Sequence, residues 1–360
     1  MPDAVSPTPS PVSLVEVFTQ AIAKRASDVH VTAGAAPLVR ISGDLYALQG
    51  MPPIPAAALL EQLRALAIPD RWQAFLNRTE DLDLSFTLPN KERFRLSAYW
   101  TQNIPAVAAR HIPGRIPTLD EVEAPEAALD FIGLTQGLVL VTGPTGAGKS
   151  TLLAAMVGQI NQQRSCHIVT FEDPVEFVHT PQRCLISQRE LGVDFATFAS
   201  GLRHVLRQDP DVILVGEMRD RETMVAALTL AETGHLVFST LHTNSAAQTV
   251  ERIVDSFPPE QQPQIRVQLS LILKGVISQL LVQGIDGLLR PVHEVMVGTP
   301  AVANLIRESQ TAQIPNIILT SSSDKMVDLD QELALLLDEG AISLETARQY
   351  ARNPKRFPQK

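Results

Sequence analysis

The stretch Gly143-Pro-Thr-Gly-Ala-Gly-Lys-Ser150 decides the fold of the longer part of the chain. Its spacing, G-x-x-x-x-G-K-S, is typical of a P-loop, in which glycines let successive backbone N–H groups point at phosphate oxygens. The apolar run Leu138–Val141 precedes the loop, and a helical segment opens near Lys149. Because this strand–loop–helix order is the context that the motif requires, the sequence predicts a phosphate site in an α/β domain.

We expect different residues of the motif to contact different parts of a bound triphosphate. Lys149 reaches the β- and γ-phosphates, the Ser150 hydroxyl binds Mg²⁺, and the helix N-terminus adds its partial positive charge. The residues that we expect to line the phosphates are Gly143, Pro144, Thr145, Gly146, Ala147, Gly148, Lys149, Ser150 and Thr151.

Two further apolar runs end in polar residues that suit the same site. Val212–Val215 is followed by Gly216 and Glu217, where a carboxylate is placed to hold Mg²⁺ directly or, given the length of glutamate, through water. Leu236–Ser239 is followed by a segment containing His242, which we expect to contact the γ-phosphate or Glu217. Short runs of this kind are typical of a parallel sheet covered by helices.

An acidic segment, Glu172-Asp-Pro-Val-Glu176, follows the predicted strand His167–Phe171. Open α/β sheets bind ligands at the carboxyl ends of their strands, so one of the three carboxylates is expected to orient and deprotonate an attacking water. The residues alone do not choose among the three. The alternative interpretation is a solvated acidic turn.

The chain before this region has a different pattern. A capping box at Ser13 and Glu16 starts a helix, and Leu82–Leu88 and Phe94–Trp100 alternate apolar and polar residues, as antiparallel strands do. The prolines at the start predict a disordered tail over residues 1–12, and Ile112–Pro117 has the composition of a linker. Other predicted elements are strands at Val29–Val31, Leu38–Ile41 and Leu45–Leu48, a helix at Ala56–Ala67 and helices after Pro300.

Composition excludes several classes of protein. The net charge of −9 argues against nonspecific binding of nucleic acid, which requires a clustered positive field. The sequence has no run of about 18 apolar residues for a membrane span, and its start lacks the pattern of a signal peptide. The two cysteines, Cys166 and Cys184, are too few for a disulfide framework or a four-thiolate zinc site, so we expect structural roles for them and a reducing cytoplasm.

The motifs together resemble the secretion-ATPase superfamily. Glu172–Glu176 looks like its Asp box and Leu241–Thr243 like its His box, and Asp211–Asp220 and Ala231–Phe238 have matching patterns. Within the superfamily the chain is most similar to the ATPases that retract type IV pili. The stretches that fit this subgroup are Ala26–His30, Gln188–Glu190, Gly298–Pro300, Asn304–Glu308 and Leu329–Ala334.

The resemblance implies an α/β architecture in which a smaller PAS-like α+β domain (residues 13–111) and a linker (112–118) precede a RecA-like P-loop ATPase domain with C-terminal helices (119–360). ATP and Mg²⁺ are the implied cofactors. Glu176 becomes the catalytic base, Glu217 the Walker B residue and His242 the His-box residue, while Arg95 and Arg110 are expected to reach phosphates. The implied assembly is a homohexamer with ATP between subunits. It is cytoplasmic and works on an inner-membrane platform protein at the pilus base.

Two departures from the family and several rival functions remain. Ala147 replaces a usual serine of the P-loop, and Ser321-Ser-Ser-Asp324 replaces a commoner glycine-rich stretch.

A retraction-accessory paralogue shares most of the motifs. ATPases of pilus assembly or type II secretion usually carry a tetracysteine motif, which two cysteines do not provide. The acidic net charge disfavours a nucleic-acid motor. A scaffold that binds nucleotide without hydrolysing it would release no phosphate from Mg-ATP, which distinguishes it from an ATPase.

Overall fold

The computed structural model describes residues 12–41, 43–112 and 114–358. The chain separates into two compact units that divide between Arg115 and Ile116, inside the segment predicted as a linker. The proline-rich start predicted as a disordered tail lies, apart from Val12, outside the described residues.

The first unit is a six-stranded antiparallel sheet with three helices. The strand order is β3-β2-β1-β6-β5-β4. Aromatic rings of a helix and a strand stack in its core, where the ring centroids of Phe18 and Phe94 lie 4.5 Å apart. The elements of this unit are α1 (Leu14–Ala23), β1 (Asp28–Thr32), β2 (Leu38–Ile41), β3 (Asp44–Ala47), α2 (Ala56–Leu66), α3 (Pro69–Leu76), β4 (Leu82–Thr87), β5 (Arg93–Thr101) and β6 (Ile104–Ile112).

Local sequence explains why these elements form. The predicted capping box is confirmed: the Ser13 hydroxyl accepts from the backbone N–H of Glu16, and the Glu16 carboxylate accepts from that of Ser13. The predicted alternation in β4 and β5 is also confirmed, since the two strands pair in antiparallel register with Phe86 opposite Phe94. This register directs one apolar face of the hairpin to the core, as a period of two requires.

Three details of this unit differ from the sequence prediction. Asp44, predicted in a turn, is the first residue of β3, and Ile112, predicted in the linker, is the last residue of β6 and pairs with Arg93. The helix α3 was not predicted. Pro69 stands at its start, where the fixed φ of proline suits a helix and the missing N–H costs nothing.

The second unit is a seven-stranded sheet in the order β13-β12-β7-β11-β10-β8-β9, parallel throughout except for the antiparallel edge strand β13. Every residue of β7, β10 and β11 is buried, as expected for strands covered on both faces. Its elements are α4 (Ala127–Gly133), β7 (Gly137–Thr142), α5 (Lys149–Gln163), β8 (His167–Glu172), β9 (Leu185–Glu190), α6 (Phe198–Val205), β10 (Val212–Val215), α7 (Arg221–Glu232), β11 (Leu236–Leu241), α8 (Ala246–Val254), α9 (Gln262–Ile272), β12 (Leu273–Gln283), β13 (Leu289–Val297), α10 (Pro300–Arg307), α11 (Ile314–Thr320), α12 (Leu329–Asp338) and α13 (Leu344–Tyr350).

This topology brings the predicted site residues to one edge of the sheet. The P-loop follows β7, the acidic segment follows β8, Glu217 follows β10 and His242 follows β11. These are the carboxyl ends of neighbouring parallel strands. Within residues 12–41, 43–112 and 114–358, no helix combines the length and the apolar character needed to cross a membrane.

Candidate active site

The P-loop lies between β7 and α5, in close contact with β12. Gly148 is the N-cap of α5 with φ 83°, and Gly143 has φ 143°, conformations that residues with a Cβ rarely adopt. Space is a second constraint at Gly143, because a Cβ there would lie 2.1 Å from the backbone oxygen of Gln279. Glycine is therefore required at this position both by conformation and by the close approach of β12.

Lys149 is directed into the loop and not into solvent. It is only 9% exposed, and its Nζ donates hydrogen bonds of 2.9 Å to the carbonyl oxygens of Gly143 and Pro144. Burial lowers the pKa of Lys149, and the nearby carboxylates of Glu217 and Glu176 oppose this shift. The charges of the predicted Walker B residue and of the predicted base thus act on Lys149, and a bound phosphate would add a further negative partner.

Glu217 lies between two basic side chains. Its Oε1 is 3.1 Å from Nε2 of His242, and its Oε2 accepts a 2.8 Å hydrogen bond from Nε of Arg219. The bond to Glu217 raises the pKa of Arg219, so the contact stabilises the charged guanidinium. The structure therefore brings Glu217 and His242 together, as the sequence analysis expected.

Neighbouring strands hold these two residues in place. The Ser239 hydroxyl donates to the backbone oxygen of Val215 at 2.8 Å, and the Thr240 hydroxyl donates to that of Gly216 at 2.6 Å. These bonds tie the end of β11 to the end of β10. Since β11 extends to Leu241, two residues beyond the predicted strand end, His242 follows directly at the sheet edge beside Glu217.

The three carboxylates at and after the end of β8 lie in different environments. The Glu172 carboxylate accepts from the hydroxyl of Thr170 at 2.6 Å and from the amide of Gln188 at 3.1 Å. Burial raises the pKa of Glu172 in spite of these bonds. Asp173 is half exposed and lies 3.9 Å from Arg219. Of the two glutamates, Glu176 is the one whose charge acts on Lys149 of the P-loop.

The residues present fit a Mg²⁺ ion that arrives with a nucleotide. Ser150 is exposed in the first turn of α5. Oε2 of Glu217 accepts from Arg219 and Oε1 lies 3.1 Å from Nε2 of His242, so both oxygens have a neighbour, an arrangement that favours contact with the metal through water. No cluster of three or more His, Cys, Asp or Glu side chains in the described part of the chain is placed to hold a metal. Mg²⁺ commonly binds through one or two protein groups, phosphates and water.

Arg95 and Arg110 belong to the first unit, where they are direct neighbours. They stand opposite each other across β5 and β6, and both are exposed. Nε of Arg110 donates to Asp28 at 2.8 Å. Asp28 partly neutralises Arg110, so the neighbouring Arg95 and Arg110 leave a net positive charge here that suits an anionic ligand.

Two polar residues of the site were not singled out from the sequence. Arg219 stands within a quoted motif but was given no role, although it holds one oxygen of Glu217. Gln279 was not noticed at all, and its side-chain amide donates to the backbone oxygen of Ala147 at 2.6 Å. Arg219 could have been found from the sequence, because it lies two residues from Glu217. Gln279 could not, because its role depends on a contact between distant parts of the chain.

Comparison with known proteins shows the family to which the chain is related. A family model described as type II/IV secretion system protein matches residues 6–323. The type IV pilus retractation ATPase PilT of Pseudomonas aeruginosa is 43% identical over 349 residues, which cover 96% of this chain and 100% of that relative. The type IV pilus ATPase PilU of the same organism is 38% identical over 335 residues, covering 92% of this chain and 86% of PilU.

A solved structure also resembles the whole chain. The crystal structure of the pilus retraction motor PilT with bound ADP has a TM-score of 0.88 and 41% identity, covering 96% of this chain and 98% of that one. The α/β fold expected from the sequence is thereby confirmed. The family model spans most of the chain, and the full length of PilT matches 96% of the chain. This protein therefore belongs to the type II/IV secretion system protein family.

Proposed function

We propose that this protein is an ATPase motor that retracts type IV pili. The observation that carries the proposal is the P-loop at the carboxyl edge of a parallel sheet, whose buried Lys149 is influenced by the charges of Glu176 and Glu217. Similarity to a pilus retraction ATPase over 96% of the chain supports the same function. The substrate is ATP, whose β- and γ-phosphates lie against the loop and Lys149.

In this mechanism the chain positions phosphates and moves one proton. Glu176 orients a water molecule for attack on the γ-phosphate and accepts its proton on a carboxylate oxygen. His242 and Arg219 contact the two carboxylate oxygens of Glu217 and so orient this side chain. Bound Mg²⁺ supplies charge neutralisation on the β- and γ-oxygens, and Ser150 and Glu217 are the residues that would hold it.

The working unit is a homohexamer with nucleotide between adjacent subunits. Arg95 and Arg110 of one subunit approach the phosphates of the next, which makes hydrolysis depend on the interface. Their placement opposite each other on β5 and β6 supports this role. The ring is cytoplasmic and acts at the base of the pilus on an inner-membrane platform protein, so that cycles of interface closing and opening withdraw pilin subunits.

Deletion of the gene tests this function. We expect surface pili to accumulate and to fail to retract, with recovery by the parent chain but not by Glu176→Gln. Purified protein should release phosphate from Mg-ATP in the same conditions. Loss of pili, in place of their accumulation, would instead indicate an assembly ATPase, the alternative that two cysteines already disfavour.

A retraction-accessory paralogue is the second candidate, since PilU is also similar to this chain, at 38% identity. The higher identity to PilT, 43%, favours the principal motor. The deletion strain separates the two: normal retraction without this protein would assign it the accessory role.

A further inference from the structure

A line of polar side chains joins the P-loop to the C-terminal helices. Gln279 on β12 and His293 on β13 stand opposite each other across the antiparallel pair, and Glu332 on α12 lies beyond His293. Gln279 is 5% exposed and His293 is 1% exposed. Polar groups at this depth are costly unless they are hydrogen-bonded, so their partners fix their orientation.

The carbonyl of Ala147 determines how Gln279 is turned. A carbonyl oxygen only accepts, so the amide nitrogen of Gln279 is the atom that faces it, at 2.6 Å. The amide oxygen of Gln279 then faces Nε2 of His293, at 3.3 Å. Because that oxygen is an acceptor, Nε2 of His293 carries a hydrogen.

Glu332 completes the line on the other side of the imidazole. Its Oε1 lies 3.3 Å from Nδ1 of His293, and its Oε2 accepts from the backbone N–H of the same residue. Each side chain of the line from Glu332 to Gln279 thus has a polar partner on the next, so helix α12 fixes the orientation of the Gln279 amide.

Gln279 controls the part of the loop that faces the phosphates. Its backbone oxygen fills the space of a Cβ at Gly143, and its amide nitrogen is 2.7 Å from where a Cβ of Gly148 would stand. The C=O of Ala147 and the N–H of Gly148 belong to one planar trans peptide and point in opposite directions. Holding that carbonyl against Gln279 therefore turns the N–H of Gly148 away from β12, toward the phosphate side of the loop.

We propose that Gln279, His293 and Glu332 are positioning residues that hold the Ala147–Gly148 peptide in its phosphate-binding orientation, so that helix α12 sets the affinity of the site for nucleotide. This inference rests on the proposed binding of adenine nucleotide. It gives the C-terminal helices a direct part in the site, through side-chain hydrogen bonds that begin on α12 and end on the P-loop.

The test is calorimetric titration of the full chain with Mg-ADP. Gln279→Leu removes the donor to Ala147 and is expected to weaken binding about tenfold. Glu332→Leu, at the opposite end of the line, is expected to weaken it by a similar factor. Glu332→Gln should restore wild-type affinity, because its amide donates to an unprotonated Nδ1 while its oxygen accepts from the backbone of His293.

Matched controls lie on the same helix. Asp338 is exposed at the last position of α12, so Asp338→Leu and Asp338→Asn should bind Mg-ADP like the parent. A thermal melt of each variant identifies any that does not fold. Gln279→Leu and Glu332→Leu change the line at its two ends. Gln279→Leu replaces one uncharged side chain by another, so it carries the test if Glu332→Leu is unfolded.

The outcomes separate this inference from the function on which it rests. A parent chain that does not bind Mg-ADP overturns the proposed nucleotide site. A parent that binds, with folded Gln279→Leu or Glu332→Leu binding equally well, overturns the positioning role alone. Binding by Glu332→Gln as weak as by Glu332→Leu also overturns it, since restoration by the conservative variant is what packing alone would not produce.

Discussion

The two units of the molecule place their candidate residues by different rules. In the second unit Glu217 and His242 follow buried parallel strands, so the topology itself assembles them at one edge of the sheet. In the first unit Arg95 and Arg110 are exposed residues on half-buried antiparallel strands. The comparison teaches that the topology of one unit brings Glu217 and His242 together, whereas the arginines take part in the proposed mechanism only if another surface brings phosphates to them.

The largest expected effect is a loss of ATP turnover when two arginines of the first unit are replaced. Replacing both Arg95 and Arg110 by alanine is expected to lower ATP turnover by about 10³–10⁵, the range of an arginine finger in P-loop systems. Binding of Mg-ADP should survive, because the P-loop lies in the other unit. Arg64→Ala, an exposed arginine on α2, is the matched control for phosphate release. Turnover at the parent rate in the double variant would make the two arginines ordinary surface residues.

The next effect tests the second unit. Glu176→Gln removes the proposed base and should lower turnover by about 10²–10⁴ while leaving nucleotide binding intact. Asp173→Asn, three residues earlier and half exposed, is the matched control and should lose far less. If Asp173→Asn or Glu172→Gln proved the inactive variant, the base would be reassigned within the same acidic segment.

The buried lysine gives the site a pH dependence of defined sign. Burial lowers the pKa of Lys149 below the ordinary 10.5, so its charge is present at low pH and is lost as pH rises through the lowered value. Affinity for Mg-ADP should therefore fall by about ten- to a hundredfold at alkaline pH, earlier than an ordinary lysine would allow. Lys149→Arg, which keeps its charge, should remove the alkaline fall. Titrations at rising pH measure both, and an unchanged fall in Lys149→Arg would contradict the assignment.

The smallest expected effect is the loss of folding stability when the pair of Arg110 and Asp28 in the first unit is broken. Burial raises the pKa of Asp28, but hydrogen bonds from Arg110 and Ser27 outweigh this, and the net pKa lies below 3.8. The contribution of the ionised pair to stability is present above that value and is lost as pH falls. Arg110→Ala should then cost less than about 1 kcal/mol at neutral pH, since the arginine is 74% exposed.

Chemical unfolding at neutral and acid pH measures this cost. The difference in midpoint between parent and Arg110→Ala should shrink as Asp28 becomes protonated. A large loss of stability would mean that slow turnover in the arginine variants reports damage to the fold. A small one leaves the charge of Arg110 as the cause.

Much of the second unit could be predicted because its central strands are short apolar runs that end in polar residues. The strands around Val139, Val169, Ile213 and Val237 follow this pattern, and the P-loop follows the first of them. Their order in the sheet then brings together residues that lie far apart in the chain. The predicted start of the helix at Lys149 is confirmed for the same reason, since the loop motif fixes where it begins.

Strands β9 and β12 could not be recognised from local pattern. β9 carries Ser187, Gln188 and Arg189 in its middle, so it lacks the apolar character of a buried strand. β12 begins at Leu273 directly after α9 ends at Ile272, with no turn residue to mark the change. Gln279 was missed with β12, because its bond to Ala147 joins residues 132 positions apart.

The two cysteines have a practical consequence for measuring motion in this protein. Cys184 is buried, and burial together with the neighbouring Cys184 thiol, 3.4 Å away, raises the pKa of Cys166 to about 12. Maleimide dyes react with thiolates, so these thiols should label slowly at neutral pH. A single cysteine introduced on an exposed helix, such as at Arg64, would then accept a fluorophore selectively without removal of the native pair.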